Sequence, residues 1–187
     1  FLVFSLSVLP GCGDTTGAPK KSIGAPVSSK NTLYVANGNG GKLLAFDLSF
    51  LDTLLSGWSP NVSPGRQFPD TVSGPSGIFL DRTNDILYVA NAAQNAIQIY
   101  DDASTLSAPL TASRVISGDL TLLDEPFGIT VDTTSGRIFV ANKGGNTIVA
   151  FHTDCAGTLS GNIAPCNLLR GDLTQLDVPR ALALDSS

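Results

Sequence analysis

Residues 84–101 read NDILYVANAAQNAIQIYD. The same pattern stands at 31–47 as NTLYVANGNGGKLLAFD and at 135–152 as SGRIFVANKGGNTIVAFH. The Ala of the shared VAN falls at 36, 90 and 141, a period of 51–54 residues. A second element keeps the same order. Pro75-Ser76-Gly77-Ile78-Phe79-Leu80-Asp81 matches Pro126-Phe127-Gly128-Ile129-Thr130-Val131-Asp132 and Pro179-Arg180-Ala181-Leu182-Ala183-Leu184-Asp185. A third, Gly-Asp-Leu-Thr, occurs at 118–121 and 171–174. Elements that repeat in one order at one period define a repeat architecture.

Each repeat reads as four short strands separated by polar turns. The first follows the Pro, the second is the ILYVAN run, and the third is AIQIYD or TIVAFH. The fourth lies near Arg114–Ser117 and Asn167–Arg170. Four antiparallel strands in about 50 residues make a β-propeller blade. A solenoid is the competing repeat fold, but most solenoid repeats are shorter or helical. Composition agrees with short strands and many turns. The 187 residues hold one Glu, no Met, 19 Gly and 11 Pro. The expectation is an all-β chain of about three blade-equivalents, part of a six- or seven-bladed propeller. The blades are read at 31–74, 75–125 and 126–178, with the first strand of a next blade at 179–185.

LYVAN followed by NxIxxFD, with PxGIxxD ahead of it, resembles the NHL and YVTN repeat propellers of bacterial secreted and surface proteins. The resemblance covers residues 31–185. It implies the fold and leaves function open, because propellers host many unrelated activities. An alternative uses the strand at 179–185 to complete the first blade, so that two chains form a six-bladed ring.

Phe1–Leu9 reads FLVFSLSVL, an uncharged stretch suited to the apolar region of a signal peptide. It has no basic segment before it and no initiator Met, so the chain is read as a fragment. Leu9-Pro10-Gly11-Cys12 resembles the lipobox of bacterial lipoproteins. That resemblance implies that Cys12 is lipidated and that residues 1–12 are a leader and lipobox. The alternative is a plain secretory leader with a chance cysteine. Residues 13–30, GDTTGAPKKSIGAPVSSK, read as a flexible tether. The expected location is the bacterial cell envelope, periplasmic or at the cell surface, with the membrane engaged through the lipid anchor.

From residue 31 onward there are 8 cations against 15 acids. Such a surface repels phosphate backbones and argues against nucleic-acid partners. The sequence carries no GxSxG, P-loop, GxGxxG or haem CxxCH, and its single His, His152, has no Ser/Asp set around it. No cofactor or metal is expected.

In a propeller the first strand of each blade is innermost. The loop entering it and the turn between second and third strands share one face, which in known families binds ligand. Here that face carries Ser76, Glu125, Phe127 and Arg180, and the Asn that closes each second strand: Asn37, Asn91 and Asn142. Two readings of these Asn stand open, turn capping through the side-chain amide or a ring of amides for a ligand or cation. Arg180 breaks the repeat where Ser76 and Phe127 stand, which makes it the candidate for anion contact. Asp81, Asp132 and Asp185 are read as turn caps on the far face, where His152 also falls. Asp119 and Asp172 of the repeated motif are read as blade-building hydrogen-bond partners. Trp58 either packs under its loop or stacks on a ligand.

Cys155 and Cys166 bracket CAGTLSGNIAPC, which has no equivalent in the other repeats. In an exported protein they read as a disulfide, against the alternative of two free thiols. Two functions follow. One is a lipid-anchored binding scaffold for an envelope protein, peptide or glycan. The alternative is a hydrolase resembling lactonases or regucalcin-type enzymes, whose catalytic residues lie partly in missing blades.

Overall fold

The computed structural model describes residues 31–47, 63–68 and 74–185. Cys12, the tether and Trp58 lie outside the described residues.

Three antiparallel sheets follow one another along the chain. Sheet 1 is β1 (Thr32–Asn37), β2 (Lys42–Asp47) and β3 (Arg66–Phe68). Sheet 2 is β4 (Pro75–Asp81), β5 (Ile86–Asn91), β6 (Ala96–Tyr100) and β7 (Arg114–Ser117). Sheet 3 is β8 (Pro126–Asp132), β9 (Arg137–Asn142), β10 (Thr147–Phe151) and β11 (Asn167–Leu169). Each pairs consecutive strands in order. The register repeats with the sequence: Ile78 faces Val89 in sheet 2 and Ile129 faces Val140 in sheet 3. A bulge recurs as well, between Pro75 and Gly77 and between Pro126 and Gly128, because a Pro lacks the N–H that a regular ladder needs.

Alternation places two apolar faces on every sheet, so the sheets stack through continuous cores. One core joins Tyr34, Leu43, Ala45 and Phe68 of sheet 1 to Leu87, Val89 and Tyr100 of sheet 2. The next joins Tyr88, Ile97, Ile99 and Ile116 of sheet 2 to Ile129, Val131, Ile138, Val140 and Phe151 of sheet 3. The first strands run side by side. A Cβ on Gly77 would sit 2.2 Å from the Phe127 carbonyl oxygen, and one on Gly128 would sit 2.8 Å from that of Arg180. The glycine in PxGI is therefore a spacing requirement between neighbouring sheets.

Two expectations are corrected. Residues 181–185 belong to no ladder among the described residues. They still take the place of a next first strand, with Ala181 against Gly128 and Leu182 and Leu184 over sheet 3. In the Gly-Asp-Leu-Thr turns the threonine is the builder. Thr121 Oγ1 donates to Gly118 O at 2.6 Å and Thr174 Oγ1 to Gly171 O at 2.7 Å, while Asp119 and Asp172 are exposed.

Cys155 and Cys166 form a disulfide, with Cα atoms 5.6 Å apart. Their segment begins with a one-turn helix, α1 (Thr153–Ala156), capped by His152. His152 Nδ1 accepts from the Asp154 N–H at 3.2 Å, so Nε2 carries the proton and donates to Ser135 O at 2.6 Å. No helix among the described residues is long and apolar enough to cross a membrane.

Candidate functional site

A cleft lies where β4 begins, with Phe127 at the start of β8 on its wall. It stands between sheets 1 and 2 and measures about 490 Å³. Its walls are the turn after β1 (Ala36, Asn37, Gly38, Asn39), the start of β4 (Gly74, Pro75, Ser76), the turn after β5 (Ala92, Ala93) and Phe127. Three residues expected at a ligand face, Asn37, Ser76 and Phe127, thus meet in one place. A second groove of about 200 Å³ runs across the first strands and holds Ser76, Phe127 and Arg180 together with the residues that follow each.

The Asn residues divide. Asn37 is exposed at the cleft. Asn91 and Asn142 are both 0% exposed. The Asn91 side chain accepts from the Gln94 N–H at 3.2 Å and donates to Gln94 Oε1 at 2.9 Å. Asn142 accepts from the Asp124 N–H at 3.2 Å and donates to Leu122 O at 2.7 Å and to Thr147 Oγ1 at 3.0 Å. The ring-of-amides reading is corrected for these two: both amides are consumed in holding the turns that shape the site. Burial without partners would cost each amide about 1–3 kcal/mol, so both stand buried because these bonds satisfy them.

Ser76 joins two sheets. Its hydroxyl lies 2.6 Å from Pro126 O and 3.0 Å from Ala90 O, so its single proton ties sheet 2 to the start of β8. Glu125 turns away from the cleft and pairs with Lys143 at 2.5 Å, with half of its side chain exposed. Such a pair contributes little, about 0–1 kcal/mol. The Arg180 guanidinium carbon stands 5.6 Å from the Phe127 ring centroid, within cation–π range. The repeat break at Arg180 therefore places one positive charge over an aromatic face in the groove, beside the cleft that Phe127 also lines.

One repeated device was not foreseen. Asn95 and Asn146 sit in left-handed turns (φ 47° and 50°) before β6 and β10. Asn95 Oδ1 accepts the Glu125 N–H at 2.8 Å, and Asn146 Oδ1 accepts the Val178 N–H at 2.8 Å. Each latch holds the residue before a repeat Pro, and so fixes where the next first strand begins. The signal was present in the sequence as the Asn of NxI in two repeats. Asn39, also in the cleft wall, was foreseen only as part of a turn.

The cleft walls carry amide, hydroxyl, backbone and aromatic groups, and no acid among them. Among the described residues no group of three or more His, Cys, Asp or Glu is placed to hold a metal ion.

No family model and no curated protein matches this chain. Among solved structures it is similar to a crystal structure of a nidogen/laminin complex, with a TM-score of 0.51 and 13% identity. The part of nidogen that matches is a YWTD β-propeller. The match covers 80% of this chain and 45% of the other, so the chain spans under half the length of its counterpart. At that identity the likeness shows the fold: an all-β chain whose sheets are blades of part of a propeller.

Proposed function

We propose that this propeller segment is a binding module of the bacterial cell envelope, held to the membrane through Cys12, which takes a protein segment, peptide or glycan at the cleft between sheets 1 and 2. The observation that carries the reading is the cleft itself. Its 490 Å³ falls within the range of ligand pockets, about 300–1,000 Å³. Its chemistry is a mixture of exposed Asn amides, backbone edges and the Phe127 ring, which suits hydrogen-bonding, partly apolar ligands. The matched nidogen structure is itself that of a complex with laminin, so a comparable propeller there belongs to a protein-binding protein.

The test presents the full chain to a displayed peptide library and to an array of envelope glycans. A ligand is expected that loses at least about tenfold in affinity, or about 1.4 kcal/mol, on Phe127→Ala or Asn37→Ala. Binding indifferent to both substitutions, or none to either array, overturns the reading. Tethering is tested separately. In the native host, Cys12→Ala is expected to move the protein from the membrane pellet to the soluble fraction.

A further inference from the structure

The residue after each repeat Pro is Ser76, Phe127 or Arg180. Around that position the repeats agree. A small residue follows it (Gly77, Gly128, Ala181), and then an apolar one (Ile78, Ile129, Leu182). A position fixed by blade building repeats, as its neighbours do. This one supplies a hydroxyl, a ring and a guanidinium, and the side-by-side first strands bring all three into the groove of about 200 Å³. The hydroxyl is committed to Pro126 O at 2.6 Å. The ring and the guanidinium face each other, with the guanidinium carbon 5.6 Å from the ring centroid.

Stacking uses one face of a guanidinium and leaves the N–H groups, which lie in its plane, for another partner. Among the described residues Arg114 pairs with Asp101 and Lys143 with Glu125, while Arg180 is exposed and pairs with no carboxylate. The groove walls carry no acid. A planar fork of N–H groups matches a carboxylate, which it takes through two parallel bonds. The size of the groove says how that carboxylate arrives. Pockets for whole ligands measure about 300–1,000 Å³. The groove is smaller, and it shares Ser76 and Phe127 with the 490 Å³ cleft. It therefore suits one group projecting from a ligand seated in the cleft. The Phe127 face under Arg180 is covered, so it is no platform for a sugar ring. An acidic side chain or the C-terminus of a peptide meets these conditions.

We propose that Arg180, held over Phe127, recognises a carboxylate of a peptide ligand, which enters the groove while the rest of the peptide lies in the cleft. The inference rests on the cleft reading above and narrows its ligand to peptides that carry a carboxylate at this point.

The experiment uses the full chain with Cys12→Ser and three libraries of short peptides. One has internal Asp or Glu and an amidated C-terminus, one has no acid and a free C-terminal carboxylate, and one has neither. Binders are expected from the first or second library, which also tells side chain from C-terminus. They are expected to lose about tenfold in affinity when the carboxylate is replaced by a carboxamide. Arg180→Gln is expected to impose the same loss on the carboxylate peptide and none on its carboxamide twin. Arg180→Lys, which keeps the charge without the fork, is expected to fall between. Arg82→Gln makes the same charge change in the turn at the other end of β4 and is expected to leave affinity unchanged. Equally strong binders from the third library, a carboxylate preference that survives Arg180→Gln, an equal loss on Arg82→Gln, or a preference for phosphoserine over aspartate in the same peptide each overturns the inference. If such binders are still weakened by Asn37→Ala, the cleft reading stands without it. No binder from any of the three libraries also overturns it, and leaves the cleft reading to the glycan array.

Discussion

Asn95 and Asn146 do two jobs with one side chain. Each accepts a left-handed backbone that most residues resist, and each reaches into the next repeat. Gly41 holds the corresponding place before β2, at φ 59°, with the backbone but without the latch. Asn95→Ala is expected to cost about 1–2 kcal/mol, from the lost bond and the backbone strain together. Asn95→Gly removes the latch alone and should cost about 1 kcal/mol or less. Gly41→Asn meets open space but must keep a left-handed backbone, so it should cost about 1 kcal/mol or less. Urea titration of all three checks the ranking, and an Asn95→Gly as costly as Asn95→Ala would show that the bond dominates.

The turn caps Asp81 and Asp132 carry a pH dependence. Burial pushes the Asp81 carboxyl up, but the Asn84 side chain and the N–H groups of Asn84 and Thr83 outweigh it and hold the carboxyl below its ordinary value. Asp132 is held low by the Ser135 hydroxyl, then by the N–H groups of Ser135 and Thr134. With native values depressed, the unfolded chain binds more protons in the acid range. The stabilisation is therefore fully present above the ordinary Asp value of about 4 and is lost as pH falls through the native values. Unfolding measured between pH 7 and pH 3 should show stability falling below about pH 4. The Asp81→Asn/Asp132→Asn double variant should show a flatter profile.

The segment that the disulfide encloses is a piece of neighbouring structure. Gly161 forms an isolated bridge to Ile116 of β7, its N–H donating to Val115 O at 2.6 Å and its carbonyl accepting from Ser117 at 3.1 Å. Asn162 Oδ1 accepts the Leu120 N–H at 2.8 Å. A segment belonging to sheet 3 thus covers the outer edge of sheet 2, the kind of edge that otherwise invites foreign strands. Closing a loop of this length stabilises by about 3 kcal/mol. Cys155→Ser/Cys166→Ser should lose on that order in thermal or urea unfolding. Amide exchange at Ser117 and Leu120 should quicken more than at the central strand β5, because their partners are the ones released.

Across the molecule, the sheets approach one another at glycine. At Gly77 the obstructing atom is a backbone carbonyl of β8, which is fixed by its own ladder to β9. At Gly128 the obstruction is the backbone of Arg180 and Ala181, which no ladder among the described residues holds. Gly77→Ala should therefore cost more than about 3 kcal/mol or prevent folding, and Gly128→Ala distinctly less. Side-chain ties between sheets work with this spacing. The Tyr34 hydroxyl donates to Ala103 O at 2.5 Å, and Arg66 donates to Leu106 O, so sheet 1 grips the loop that follows β6.

The order of strands and the stacking of blades could be read from periodicity. A repeat of VAN and PxGI at one spacing admits few folds, and alternation of apolar residues dictates two buried faces per sheet. The caps at Asp81 and Asp132 were legible for the same reason, since a carboxylate two residues before a turn satisfies local N–H groups in any setting. What the sequence left open depends on distance through space. Asn37 and Asn142 stand in the same word of the same repeat, yet one is exposed in a cleft and the other is consumed by Asp124, Leu122 and Thr147. The pairing of Arg180 with Phe127 joins residues 53 apart and exists only because first strands lie side by side. Local pattern determines which hydrogen bonds a residue could make; packing between sheets decides which of them are already taken.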